Sequence, residues 1–203
     1  MSPIELCWNI TSYISIIVQL IAAGVCFGVF VLPYMQGRDK AVKTGSVYGV
    51  VMTVLYIMPP QIDNILAYFI GTVAAFAVMY VEDRQNINQK IFSSVTFFTL
   101  RWLSSSMAGI IDFFLDIVLF NSAIAAMSWL HYGLYVMTRI MDILFCSLLL
   151  LLSIQAVNRA YEYKNRYMGK KELLMLIVPS LLGMVGYMIF HFYQVKSEMT
   201  GFY

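Results

Sequence analysis

Apolar runs of membrane-spanning length, broken by short charged or Pro/Gly-marked joints, constrain this sequence more than any other feature. Hydrophobic residues make up 61% of the 203 residues and charged residues 12%, where an ordinary soluble domain carries about 25% charged residues. The mean hydropathy is +0.76. These figures predict an integral, all-α membrane protein whose backbone groups are satisfied inside helices.

Six candidate spans are read from the pattern, at about residues 13–34, 44–58, 65–81, 91–120, 133–156 and 172–193. Together they form a single membrane domain covering residues 1–203. The first ends at Pro33 and Gly37, which suit a helix exit, and a short basic loop with Arg38, Lys40 and Lys43 follows. The second is short and stops at Pro59-Pro60, and a polar turn joins it to the third as an antiparallel hairpin. The fourth is longer than one crossing needs, which implies tilt or an interfacial first turn. The sixth carries Pro179, Gly183 and Gly186, tolerated where neighbouring helices re-satisfy the backbone.

The Lys and Arg residues of the joints set the orientation. Arg38, Lys40 and Lys43 follow span one, Arg84 and Lys90 follow span three, and Arg159, Lys164, Arg166, Lys170 and Lys171 follow span five. Only Lys196 falls on the other side. The positive-inside rule then places all three basic joints in the cytoplasm and both termini outside the plasma membrane. Trp129, His131 and Tyr132 suit an outer aromatic belt, and His191 falls near the same edge.

Five ionisable residues sit inside the apolar runs: Arg101, Asp112 and Asp116 on span four, Arg139 and Asp142 on span five. Arg101 lies roughly ten residues into its span, ~15 Å deep. Asp112 and Asp116 share one helix face at i, i+4, and Arg139 and Asp142 are i, i+3 neighbours. Charges near mid-membrane cost roughly 2.5–3.5 kcal/mol each on insertion scales and normally face partners or water. Depth matching predicts Arg101 opposite Asp142, and Arg139 opposite Asp112. Three readings follow: structural ion pairs locking spans four and five, a signal-binding site between them open to the outside, or a proton or ion path.

No catalytic or cofactor pattern stands beside these charges. Cys7, Cys26 and Cys146 have no metal-ligand spacing, and two of them fall in apolar runs where a free cysteine packs as a small hydrophobe. His131 and Cys146 are fifteen residues apart on one helix, over 20 Å at ~1.5 Å per residue. There is no Gly-rich phosphate loop, HExxH or CxxC, and no basic tail that predicts nucleic-acid binding. The residues therefore predict no cofactor, no metal and no enzymatic part in this chain.

Several phrases resemble the membrane input region of GHKL-type sensor histidine kinases of Firmicutes, relatives of the accessory-gene-regulator pheromone receptors. They are Leu66-Ala67-Tyr68-Phe69-Ile70-Gly71-Thr72 with Ala74-Ala75-Phe76, then Asp83-Arg84, Gln89-Lys90, Val95-Thr96-Phe97-Phe98 and Leu100-Arg101-Trp102-Leu103-Ser104-Ser105. A second block is Lys170-Lys171-Glu172-Leu173-Leu174-Met175-Leu176, Val178-Pro179-Ser180, and Gly183 with Gly186-Tyr187. The resemblance implies a truncated sensor module that detects a peptide or small-molecule signal, works as a homodimer in the lipid bilayer and serves a cytoplasmic kinase. The family's phosphoacceptor helices and ATP-binding boxes do not appear in these residues. A small transporter is the alternative, though no inverted repeat or paired broken helices mark a transport site. A six-span cysteine endopeptidase of similar size needs His and Cys together on the cytoplasmic side, which this sequence does not offer.

Overall fold

In the computed structural model the described residues are 3–58, 64–84, 86–120, 129–161, 168–178, 181–183, 185–186 and 189. They are helical apart from short joints, with no strand among them. The helices are α1 (Pro3–Val31), α2 (Arg38–Ile57), α3 (Asn64–Glu82), α4 (Ile87–Phe120) and α5 (Trp129–Tyr161). A 3-10 turn, Leu32–Tyr34, extends α1, and residues 170–178 are helical again. Each of the first five predicted spans falls on one helix. The rest of the sixth lies largely outside the described residues.

Helix α1 starts ten residues before the predicted span, at Pro3 rather than residue 13, and the first joint also differs. Residues 38–43, expected as a loop, are the opening turns of α2. The whole reversal is compressed into Met35 to Gly37, where Gly37 takes φ +118°, a conformation that glycine adopts without steric cost. Asp39 then sits in the first turn of α2, where the helix dipole favours a negative charge.

The five helices close into a ring in chain order. α1 packs on α2, α2 on α3, α3 on α4, α4 on α5, and α5 returns to α1, while α4 also touches α1 across the centre. Stacked rings of Phe27 and Phe97 occupy that centre, 4.1 Å apart at 10°, and Tyr48 meets both edge-on at 5.3 Å. Edge and offset-stacked arrangements are the favourable ones for aromatic quadrupoles. Three helices are thereby tied at one level.

The closest helix pair is α1 with α2, and small residues make it so. Gly24 and Gly28 on α1 face Gly45 and Gly49 on α2, two glycine-xxx-glycine spacings laid against each other. A Cβ at Gly24 would lie 2.7 Å from the Gly45 carbonyl oxygen and 3.0 Å from the Gly49 Cα. Such backbone contact yields dispersion energy without needing a hydrophobic driving force.

Beside its apolar core the bundle buries polar side chains and turns large apolar ones outward. Thr44, Thr72, Gln89, Lys90, Ser93, Ser94, Arg101, Ser104 and Thr138 are buried. Outward faces carry Val25, Val50, Val73, Phe113, Leu130 and Leu148. Several hydroxyls are satisfied locally: Thr44 donates to the Lys40 carbonyl, Thr72 to Tyr68, Ser93 to Gln89 and Thr99 to Val95, the i−4 pattern that needs no water. Among the described residues two helices, Pro3–Tyr34 and Trp129–Tyr161, are long and apolar enough to cross a membrane, and Leu66–Glu82 is a shorter apolar helix.

Candidate functional site

The two ends of the bundle differ in chemistry. At one end Lys43 pairs with Glu82, Lys40 donates to the Glu82 carbonyl at 3.0 Å, and Lys90 pairs with Asp83 at 3.3 Å. Tyr34 donates to Asn158 at 3.0 Å, and Asn88 to the Met168 carbonyl at 3.0 Å. All three basic joints of the sequence begin at this end. The opposite end is aromatic: Trp8 stacks on Tyr135 at 4.1 Å, Tyr13 lies against Tyr56, and the Thr11 and Tyr132 hydroxyls are 2.9 Å apart. Trp129 and His131 fall in the first turn of α5 at that end.

Arg101 projects from α4 into the centre of the ring and is only 2% exposed. Its Nη1 donates to Cys146 Sγ of α5 at 3.0 Å, and its guanidinium carbon lies 5.3 Å above the Tyr68 ring of α3. The Tyr68 hydroxyl in turn meets Ser105 Oγ at 3.0 Å. Tyr48 of α2 and Cys26 of α1 lie within electrostatic reach of the same cation. The Tyr48 hydroxyl is beside the guanidinium but short of hydrogen-bond geometry, and Arg101 Nε has no hydrogen-bond partner. One residue of α4 thus addresses every other helix of the ring.

Energetics explain why this cation is tolerated rather than stabilising. Placing an arginine at mid-helix in a membrane costs roughly 2.5–3.5 kcal/mol. A charge-assisted hydrogen bond returns roughly 1.5–3 kcal/mol and a desolvated cation–π contact about 2 kcal/mol. A thiol sulfur is a weak acceptor, so the hydrogen bond contributes at the low end of its range and the balance is near zero. Guanidinium cannot shed its proton, so the bundle holds a fixed positive charge at its centre.

The expected partner of Arg101 was Asp142, and that pairing does not form. The other expected pair does: Arg139 Nη1 lies 2.7 Å from Asp112 Oδ2, with the guanidinium carbon 5.2 Å above Tyr135. For straight antiparallel helices the two pairings are incompatible. Arg101 lies eleven residues below Asp112, ~16 Å along α4, whereas Asp142 is three residues past Arg139, ~4.5 Å along α5. Cys146, seven past Arg139, is the polar position on α5 that the long arginine side chain reaches. Reading Cys146 as a simple small hydrophobe missed this role, and carrying the residue spacing through both helices at once would have exposed it.

Asp142 remains on α5 without an ion pair among the described residues. With Asp112 it lines a cleft of about 380 Å³ between α4 and α5, walled by Ala108, Ile111, Met137, Met141 and Phe145. Asp112 is twenty-two residues beyond Lys90, ~33 Å along α4, which places the cleft toward the aromatic end. Asp116 belongs to α4, but its side chain lies outside the described residues, as does His191. The site residues therefore separate into a buried hub, Arg101, and a cleft lined by Asp112 and Asp142, with Arg139 paired to Asp112 beside it. Tyr48, Tyr68 and Cys146 are hub residues to which the sequence reading gave no such role.

No protein-family model matches the chain, and neither a curated protein nor a solved structure matches it.

Proposed function

We propose that the chain is a six-span membrane sensor module of the two-component histidine-kinase type, receiving an extracellular or membrane-borne peptide or small-molecule signal at the α4–α5 cleft. The observation that carries this reading is the placement of two features on one rigid rod. Asp112 at the cleft and Arg101 at the hub are eleven residues apart on α4, so a ligand that shifts α4 at its aromatic end disturbs contacts to α3 and α5 directly. The large apolar side chains on the outward faces and the polar residues turned inward support a multi-pass arrangement. The gathering of Lys43, Lys90 and Arg159 at one end of antiparallel helices supports basic joints facing the cytoplasm. Genomic DNA adjoining the coding sequence tests the proposal: a GHKL-type kinase domain and a response regulator are expected beside it, and their absence in the presence of transport genes would overturn it.

Asp142 favours a second reading. A half-buried carboxylate that lines a cleft and makes no ion pair among the described residues is also the arrangement of an ion or proton path. Proteoliposomes separate the two: a sensor gives no flux above empty vesicles, whereas a path gives flux that Asp142→Asn abolishes.

A further inference from the structure

The contact between the two glycine pairs has a consequence on the outer surface of the bundle. Where Gly24, Gly28, Gly45 and Gly49 bring α1 and α2 together, the seam sinks, leaving an open groove of about 640 Å³. Its exposed walls are Val25 and Val29 on α1 and Val42 and Val50 on α2. It runs along α2 from Arg38 to Val50, twelve residues or ~18 Å, the length of one fatty acyl chain. Arg38 stands at its basic end.

Arg38 differs from its neighbours in being uncommitted. Lys43 and Lys40 are both held by Glu82, and Lys90 by Asp83, whereas Arg38 is exposed and makes no ion pair among the described residues. It opens α2, and its Gly37 cap supplies no side-chain acceptor, so the positive helix end adds to the guanidinium charge. Asp39 does not line the groove.

We propose that this groove is a binding site for an anionic glycerophospholipid, with its phosphate headgroup on Arg38 and the first turn of α2 and one acyl chain along the glycine seam. The site rests on the membrane reading above, which places Arg38 at the cytoplasmic leaflet, where anionic lipids concentrate. Charge selects the lipid. The 18 Å apolar groove holds any acyl chain, but a cation at its end favours an acidic headgroup.

Full-length chain is incorporated into nanodiscs of phosphatidylcholine and phosphatidylglycerol in equal parts, and the retained lipids are weighed by native mass spectrometry. Wild type retains phosphatidylglycerol over phosphatidylcholine, and Arg38→Gln lowers that preference about fivefold, as expected for one interfacial cation. Arg84→Gln, an exposed cation away from the groove, leaves it unchanged. Val42→Trp, which fills the groove, removes retention of both lipids. Equal retention of the two lipids by wild type, an equal effect of Arg84→Gln, or a dimer joined through a lipid-free groove overturns the proposal. Failure of the membrane reading has its own sign: the chain would then be extracted from native membranes by alkaline carbonate.

Discussion

Arg101 of α4 and Cys146 of α5 are joined by a 3.0 Å hydrogen bond from Nη1 to Sγ, a contact in which a thiol takes the place usually held by a carboxylate. It binds the longest two helices of the ring near their middles. The consequences differ sharply according to which partner is removed.

Cys146→Ala leaves a buried guanidinium with one acceptor fewer, and is expected to lower stability by about 1–3 kcal/mol. Arg101→Met removes the charge with its demand, and is expected to be close to neutral or stabilising. Denaturant unfolding in detergent measures both. Equal destabilisation by the two changes would show that the contact is ordinary packing.

Glycine positions divide by what a methyl group would meet. Gly24→Ala drives Cβ against the backbone of Gly45 and Gly49, where nothing can rotate away, and is expected to cost about 1–3 kcal/mol through overpacking. Gly109→Ala on α4 meets nothing within 4 Å and is expected to stabilise by up to about 1 kcal/mol through helix propensity. A thermal melt of each variant reads the difference in sign.

The Arg139–Asp112 pair is partly exposed, at 24% and 18%, and lies between the surface and buried limits. Breaking it by Asp112→Asn is expected to cost about 1–3 kcal/mol. The exchange Asp112→Arg with Arg139→Asp is expected to recover part of the loss of the single reversals. A double-mutant cycle gives the coupling, and zero coupling would leave the pair without an energetic role.

Acid sensitivity is expected at the basic end. The Lys43 ammonium bonded to Glu82 holds that carboxyl below the ordinary glutamate range. A depressed folded pKa contributes stability that is present above the unfolded value and lost as pH falls through the folded one. Unfolding midpoints of wild type and Lys43→Met should therefore differ at pH 7 and converge in acid. A difference that grows on acidification contradicts the assignment.

Orientation is checked by single cysteines at Gln36, Arg84 and Trp129 in a chain whose native cysteines are replaced. Gln36 is chosen over Gly37 because the latter's φ of +118° strains any side chain. A membrane-impermeant maleimide applied to intact cells is expected to label Trp129→Cys alone. Labelling at Gln36→Cys or Arg84→Cys reverses the orientation and removes the cleft from the outer face.

Much of the helix pattern was legible because it follows from composition and period. The bounds of α3 and the end of α4 at Phe120 coincide with the apolar runs, since an apolar segment of that length has few other ways to satisfy its backbone. The Arg139–Asp112 contact was legible from depth alone. The glycine spacings on α1 and α2 stood in the sequence as well, but spacing does not say which helix lies opposite.

Sequence by itself determined that this chain forms apolar helices with cationic joints and a few charges placed deep within them, because hydropathy and helical rise act along one dimension. Tertiary structure alone decided that α5 returns to α1 to close the ring, that Arg101 reaches a thiol while Asp142 is left in a cleft, and that two glycine pairs meet. Those outcomes depend on the azimuth and crossing of one helix against another, which the local pattern of either helix leaves open.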